Sequence, residues 1–278
     1  MTETGTQHEA GAPVDKTVTA RGLTLYTRRR PGSAEPPLLL IHGLGGSMDS
    51  WQPLLEHLPD REVIMIDTPG MGRSELPGRP LPMHGLADVL AAALTELGVD
   101  RVDVLGYSHG GAVAQEFVHR HGRRVRRLVL TATVAGVPWL PPRPRSALAL
   151  AGTRRYRDKA AAAHDIPLLA GGRTARDPEV LASVLADREA NPPSKTGYRY
   201  LQAAILGWSS HPWLHTLRCR TLVLQGSDDP VVRTLNGRVL AGRIRGARLE
   251  VLDGAGHMML FDEPERLGHL ISDFLTAP

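Results

Sequence analysis

The sequence is poor in several residue types, and each shortage excludes a class of protein. It has one cysteine, Cys219, in 278 residues, so a disulfide scaffold and a zinc site built from several cysteines are excluded. No apolar run approaches the roughly 18 residues of a membrane span. The net charge is only +4, and the basic residues are scattered rather than clustered as in a nucleic-acid-binding protein. We therefore expect neither a nucleic-acid partner nor a membrane span.

The remaining composition, with 42% hydrophobic and 22% charged residues, is typical of a globular protein. Residues 1–17 lack the charged and apolar regions of a secretory signal. We expect them to form a flexible tail, and we expect the protein to be cytoplasmic.

From residue 18 onward, short apolar runs alternate with helical patterns, which predicts an α/β fold with a mostly parallel sheet. Residues 17–26 are expected to form an early antiparallel strand pair or ribbon. Continuous apolar runs without alternation suit strands that are covered on both faces. Such runs occupy residues 38–41, 63–66, 128–130 and, with Asp103 inside the run, 102–105; further strands are expected at 221–224 and 249–252. Helical spacing of apolar residues is found at 86–97, 112–119, 235–244 and 264–275.

The regular alternation stops between residues 131 and 221. The segment 136–215 opens on a proline-rich stretch that forbids a continuing helix or a central strand, and it holds six of the chain's twelve aromatic residues. We predict that this segment, called the cap below, is a helical insertion. It would interrupt a core formed by residues 18–135 and 216–278.

The most specific motif is the Gly-Tyr-Ser-His-Gly run at residues 106–110, directly after a predicted strand and before a predicted helix. A serine on such a sharp turn needs small neighbours, and the turn exposes its hydroxyl at a helix N-terminus. Ser108 is therefore the candidate nucleophile. A helix-capping serine in a glycine-rich loop is the simpler alternative.

A serine nucleophile needs a general base and an acid that orients this base. His257 lies in a glycine-containing loop after the last predicted strand, at the same sheet edge as Ser108, and is the candidate base. The acid is expected between these two residues in the chain. Asp229 follows the strand at 221–224 and is our choice, while the adjacent Asp228 stays open as the alternative.

Acyl transfer also requires donors to a tetrahedral oxyanion. The glycine-rich turn at residues 42–46 follows the first buried strand and can present the amide of Leu44, and the amide of His109 follows the nucleophile. A phosphate-binding loop is disfavoured because the lysine and the glycine spacing of such loops are absent. No group of histidine, cysteine and acidic residues has metal-ligand spacing, so we expect neither a metal nor a cofactor.

Together these motifs resemble the α/β-hydrolase superfamily, over nearly the whole chain from about residue 18. Within it the sequence looks most similar to intracellular polyhydroxyalkanoate depolymerases that act on medium-chain polyesters. The matching stretches are residues 131–133, 135–136, 154–156, 171–172, 176–178, 206–208, 213–215 and 221–230, with Asn236. The chain departs from that family at His109, where tryptophan is common, and at His42, where asparagine is common. The resemblance implies ester hydrolysis by Ser108, Asp229 and His257.

The cap raises two further hypotheses. Trp139, Trp208 and Trp213 are candidates for an apolar substrate pocket, and the alternative is that they form the lid's own core. The cap also carries eleven basic and six acidic side chains. One hypothesis is that this basic excess attracts anionic acid products or docks the protein to an acidic surface. The alternative is that it is only a solvated, arginine-rich face.

The expected substrate is a small molecule or a polyester. The same residues could serve a small-ester, lactone or thioester hydrolase, a cofactor-free perhydrolase or a carbon–carbon hydrolase. A hydrolase-fold protein that binds a ligand without turnover is the alternative from another class.

Overall fold

The computed structural model describes residues 12–277, which form an eight-stranded sheet and ten α-helices. The strands are β1 (Val14–Ala20), β2 (Leu23–Arg30), β3 (Ala34–Ile41), β4 (Arg61–Ile66), β5 (Val102–Tyr107), β6 (Val125–Thr131), β7 (Arg220–Gly226) and β8 (Arg248–Leu252). The helices are α1 (Gln52–Leu55), α2 (Met83–Glu96), α3 (His109–His121), α4 (Pro144–Ala151), α5 (Lys159–Ala170), α6 (Pro178–Ala190), α7 (Lys195–Ile205), α8 (Thr234–Arg243), α9 (Met259–Asp262) and α10 (Pro264–Thr276). Among these helices none is long and apolar enough to cross a membrane.

The sheet confirms the predicted α/β fold. Its strand order is β1-β2-β4-β3-β5-β6-β7-β8. Strand β2 is antiparallel to both of its neighbours, β1 and β4, and all other neighbouring strands are parallel. Every residue of β4 and β5 is buried, because helices cover both faces of the sheet. Helices α2, α3 and α8 contribute to the apolar cluster on one face, and α1, α9 and α10 to that on the other. The continuous apolar runs therefore predicted the inner strands correctly.

The predicted boundary of the N-terminal tail is wrong for residues 14–17, which form the first half of β1. Those four residues are exposed and pair with β2 at the sheet edge, Val14 lying opposite Arg29. An exposed edge segment carries little hydrophobic pattern, so sequence alone does not separate it from a tail. Residues 1–11 of the predicted tail lie outside the described residues.

Helices α4 to α7 lie between β6 and β7, where the sequence predicted a helical cap. Three of these helices begin after a residue that favours a helix start. The side chains of Asp158, Asp177 and Ser194 accept backbone N–H groups in the first turns of α5, α6 and α7. The two ends of the cap are held together at its base. There, Gly136 and Ser209 form an antiparallel bridge, and the amide of Ser210 donates to Ala135 O at 2.8 Å.

Candidate active site

Four loops at the carboxyl edge of the parallel strands meet at one place. They follow β3, β5, β7 and β8, and they carry the turn at residues 42–46, Ser108, Asp229 and His257 respectively. Strands β3, β5, β6, β7 and β8 are neighbours in the sheet, so their carboxyl ends form one continuous edge.

Ser108 occupies the sharp turn between β5 and α3, with φ 53° and ψ −119°. This conformation is strained for a residue with a side chain. Glycine is required on both sides of the motif, at positions 106 and 110, because neighbouring backbone atoms leave no room for a side chain there. A Cβ atom at Gly106 would lie 2.5 Å from Gly110 O, and one at Gly110 would lie 2.1 Å from Ile41 O. The spacing of the motif thus reflects the tight packing of the turn against α3 and β3.

The three residues expected to act together form a chain of two contacts, with His257 in the middle. Ser108 Oγ lies 3.0 Å from His257 Nε2, and His257 Nδ1 lies 2.8 Å from Asp229 Oδ2. The Asp229 side chain is fully buried. Its other carboxylate oxygen accepts the amides of Val231 and Val232 at 2.8 and 2.7 Å. These donors fix the carboxylate, so the chain of contacts can orient the imidazole and move a proton from Ser108.

Asp228, the alternative acid, points to different partners. Its Oδ2 accepts from Arg176 Nη1 at 2.8 Å and from the amide of Gly172 at 3.1 Å, and its side chain is one-third exposed. The structure therefore brings Asp229, and not Asp228, to His257.

Tyr107 supports the His257 loop and was not singled out by the sequence. Its hydroxyl donates to His257 O at 2.5 Å, and the two rings lie 5.6 Å apart. Burial raises the pKa of Tyr107 well above its usual 10.0, so the hydroxyl keeps its proton and remains a donor. The only available signal was its position directly before Ser108.

The glycine-rich turn lies against the nucleophile. A Cβ atom at Gly43 would lie 3.2 Å from Ser108 Cβ, so glycine permits the close approach. Within residues 12–277, no acceptor is recorded for the amide of Leu44. His109 is the first residue of α3, where backbone amides have no intrahelical acceptor and the helix dipole favours an anion. Both amides can therefore serve a ligand.

His42 fixes this turn from within the protein. It is buried, its Nδ1 lies 3.0 Å from Gly43 O, and its Nε2 accepts the amide of Thr68 at 3.1 Å. Burial lowers the pKa of His42, so the neutral ring donates at one nitrogen and accepts at the other. A neutral hydrogen-bonding side chain is what this position requires.

The side chain of His109 connects the nucleophile turn to the cap. Its Nε2 donates to Leu201 O in α7, at 3.0 Å. Burial lowers the pKa of His109 from 6.5 to about 4, although the bond to Leu201 opposes the shift. The folded protein thus holds this ring neutral, whereas the unfolded chain protonates it near pH 6.5.

Folding stability is therefore expected to fall with acidification because of His109. The group's contribution is fully present above pH 6.5 and is lost as pH falls towards about 4, in total roughly 3 kcal/mol. The variant His109→Gln keeps a donor for Leu201 O but does not titrate. Its free energy of unfolding, measured with urea across this range, should decrease less than that of the wild type. Part of the decrease should persist, because His42 is also buried with a lowered pKa. Equal decreases in both proteins would contradict this role.

A cleft lies beside Ser108, between the core and the cap. Its empty volume is about 830 Å³, which includes the open solvent at its mouth. Its apolar lining combines residues of the cap with residues of the core: Leu150, Ile166 and Leu169 with Leu44, Trp51, Val231, Met258, Leu260 and Phe261. Its polar lining contains Ser50, Arg155, Tyr156, Asp187 and Arg188. The cap therefore supplies part of both linings.

The three tryptophans predicted for the pocket are not among the residues that line this cleft. Trp208 donates from Nε1 to Glu116 Oε1 at 2.7 Å, and the Trp213 ring stacks on His119 at 4.2 Å. Both glutamate and histidine belong to α3, so these tryptophans anchor the base of the cap to the core. Trp139 is 38% exposed. Aromatic content alone could not indicate which face of the cap each ring occupies.

Within residues 12–277, no three histidine, cysteine or acidic side chains are grouped so that they could hold a metal ion.

Comparison with known proteins places the chain in a family. A family model of the alpha/beta hydrolase fold matches residues 36–264. A poly(3-hydroxyalkanoate) depolymerase of Ectopseudomonas oleovorans is 39% identical over 262 residues, covering 94% of this chain and 92% of that protein. A solved hydrolase from Pseudomonas aeruginosa PA01 has a TM-score of 0.80 at 28% identity, covering 95% of this chain and 98% of that one. A thermophilic esterase from Thermogutta terrifontis has a TM-score of 0.78 at 27% identity, covering 94% and 98%. The chain therefore belongs to the α/β hydrolase family, with a site of the serine-hydrolase type.

Proposed function

We propose that the protein is a cofactor-free carboxylic ester hydrolase that acts on medium-chain hydroxyacyl esters, including polyhydroxyalkanoate oligomers or polymer. The observation that carries this proposal is the continuous contact from Asp229 through His257 to Ser108, at the inner end of a cleft with an apolar lining. The similarity to a poly(3-hydroxyalkanoate) depolymerase supports the choice of substrate class. A cytoplasmic location fits this proposal and remains a prediction.

In the first half of the reaction, His257 Nε2 accepts the proton of Ser108 Oγ as this oxygen attacks the ester carbonyl. Asp229 accepts the Nδ1–H of the ring and stabilises the imidazolium that forms. The amides of Leu44 and His109 donate to the oxyanion of the tetrahedral intermediate. The imidazolium then protonates the departing alkoxide, which leaves as the alcohol and leaves the acyl group on Ser108.

In the second half, His257 accepts a proton from water as the water oxygen attacks the acyl-enzyme. Collapse of the second tetrahedral intermediate returns the proton to Ser108 and releases the carboxylic acid. The net reaction is the addition of one water to one ester bond, which gives one acid and one alcohol.

The apolar lining is proposed to hold the medium-length acyl chain. It is built where the cap packs on the loops after β7 and β8. Leu169 and Val231 belong to one buried cluster, and Ile166 and Met258 belong to another. Val231 also donates its amide to Asp229, so the surface that would bind the acyl chain is continuous with the loop that positions the acid.

Turnover of p-nitrophenyl esters of increasing chain length, measured beside release of acid from a medium-chain polyester, tests the proposal. We expect kcat/KM to rise from short to medium chains, because burial of each methylene in an apolar pocket is favourable. Absence of turnover on every ester would contradict the proposed function. Turnover of the p-nitrophenyl esters without acid release from the polyester would restrict it to small esters.

A substitution within the cleft should shift this chain-length profile. Leu150 lines the cleft, and in the variant Leu150→Trp the larger side chain occupies space needed by the acyl chain. We expect the ratio of kcat/KM for medium over short esters to fall at least about tenfold. Leu148 lies in the same helix but is 80% exposed, so Leu148→Trp is the matched control and should keep the wild-type profile. Equal profiles for Leu150→Trp and the wild type would place the acyl chain elsewhere.

A further inference from the structure

The polar lining of the cleft contains two guanidinium groups close to one tyrosine ring. The Cζ atom of Arg155 lies 4.5 Å from the ring centre of Tyr156, and that of Arg188 lies 5.9 Å from it. Arg155 is only 6% exposed. Arg188 is partly exposed, so one buried and one partly exposed positive charge lie beside the same ring in the cleft lining.

The recorded hydrogen-bond acceptors of both arginines are neutral. Arg155 donates to Ala149 O at 2.5 Å, to Gly152 O, and to the hydroxyls of Tyr156 and Tyr198 at 3.1 and 2.6 Å. Arg188 donates to Gly45 O. In residues 12–277, no carboxylate lies within ion-pair distance of either guanidinium. Buried charges in proteins are normally paired, and the buried Arg155 has only neutral partners, so an anion beside these two groups would be favoured.

Asp187 does not supply the missing negative charge for both arginines. Of the side chains described, it is the only carboxylate that lines the cleft, and it already accepts the hydroxyl proton of Ser50 at 3.0 Å. Burial raises the pKa of Asp187, with the Arg188 charge acting in the opposite direction. The lining therefore has two guanidinium groups against one carboxylate, in a cap that is itself rich in basic residues.

The lining also has a surplus of hydrogen-bond donors. The buried indole Nε1–H of Trp51 has no acceptor among residues 12–277. Arg188 uses one of its five N–H groups in the recorded bond to Gly45. A ligand that complements such a lining carries negative charge and several acceptor lone pairs, as a carboxylate does.

We propose that Arg188, supported by the charge of Arg155, forms a subsite for the free carboxylate of a linear hydroxyacid oligoester. This inference rests on the proposed function, because the ligand is a substrate of the same active site. Within the proposed substrate class, it makes esters with an acid end, such as short oligomers and the chain ends of a polyester, the preferred substrates.

The position of Arg188 fits a carboxylate close to the reacting ester. In a dimer of a 3-hydroxyacid, three bonds separate the ester oxygen from the free carboxyl carbon. The guanidinium of Arg188 donates to Gly45 O. Gly45 belongs to the same turn as Gly43, and the backbone of Gly43 packs against Ser108. Hydrolysis of the dimer adds one water to its ester bond and gives two molecules of the 3-hydroxyacid. The carboxylate in the subsite leaves with the alcohol product.

A matched pair of substrates tests the subsite. The linear dimer of 3-hydroxyoctanoic acid is assayed as the free acid and as its methyl ester, which is neutral and otherwise nearly identical. We expect the wild type to show a kcat/KM at least about tenfold higher for the free acid, as hydrogen bonds to a charged group suggest. Added salt should reduce this preference.

The variant Arg188→Gln should bring the two values of kcat/KM to within about twofold of each other, and Arg188→Lys should retain part of the preference. Loss of the bond to Gly45 could also disturb the turn at residues 42–46, but this lowers both rates together and cancels in the ratio. Arg199 is an exposed arginine of the cap, so Arg199→Gln is the control and should keep the wild-type ratio.

Three outcomes overturn the subsite or its assignment. Equal kcat/KM for the two dimers in the wild type rules out carboxylate recognition. An unchanged ratio in Arg188→Gln shows that Arg188 does not provide it, and an equal loss in Arg199→Gln assigns the effect to the general charge of the cap. If the protein cleaves neither of the two dimers nor p-nitrophenyl octanoate, the proposed function itself is contradicted, and the subsite with it.

Discussion

The variant Ser108→Ala is expected to lower kcat for p-nitrophenyl octanoate by at least about a thousandfold. Alanine leaves the cleft, the turn at residues 42–46 and the His257–Asp229 pair in place, but it removes the oxygen that would form the acyl-enzyme. Binding and the two backbone amides would then account for all remaining activity. The same variant should not be labelled by a fluorophosphonate, which reacts covalently with an activated serine.

A matched substitution separates this effect from a general loss of fold. Ser183 is an exposed serine of α6 in the cap, and Ser183→Ala should retain wild-type kcat and fluorophosphonate labelling. Circular dichroism and urea unfolding should show all three proteins folded. If Ser108→Ala retained kcat within about tenfold of the wild type, Ser108 would not be the nucleophile.

The second large effect is expected from Asp229→Asn, which should lower kcat about ten-thousandfold. The amide has nearly the same shape as the carboxylate, but its N–H₂ group can donate to His257 Nδ1. This favours the tautomer that carries its proton on Nε2, and such a ring cannot accept the proton of Ser108. KM should change little, because Asp229 is buried and is not part of the cleft lining.

Asp228→Asn is the matched control, because it makes the same chemical change one residue earlier. Asp228 pairs with Arg176 at a partly exposed site, where an ion pair contributes little to stability. Its kcat should remain within about threefold of the wild type. A larger loss in Asp228→Asn than in Asp229→Asn would reverse the assignment of the acid.

The sheet and the elements around Ser108 could be predicted because their signals are local. Continuous apolar runs identify buried strands, and two glycines around a serine after such a run identify a tight turn. The structure adds the physical reason, since side chains at positions 106 and 110 would collide with neighbouring atoms. The exposed residues 14–17 carry no comparable signal, and their place in β1 depends on pairing with residues 26–29 of the next strand, β2.

Other parts of the site depend on details that sequence patterns do not contain. The choice between Asp228 and Asp229 is decided by loop geometry, because neighbouring side chains in a turn point in different directions. Likewise, the composition of the cap showed that aromatic and basic residues are present, but not which of them face the cleft. Trp208 and Trp213 pack on α3, whereas Arg155, Tyr156 and Arg188 line the cleft.

The cap is bonded to the two loops that carry Ser108 and His257. The side chain of His109 donates to Leu201 O, and the amide of His257 donates to Ala170 O at 2.5 Å. Both carbonyls belong to cap helices. Consequently, the cap is not an interchangeable module for protein engineering. A chimera that carries the cap of another hydrolase must place two backbone carbonyls at these same points, or it alters the loops on which the proposed chemistry depends. Cap and core are therefore expected to diversify together.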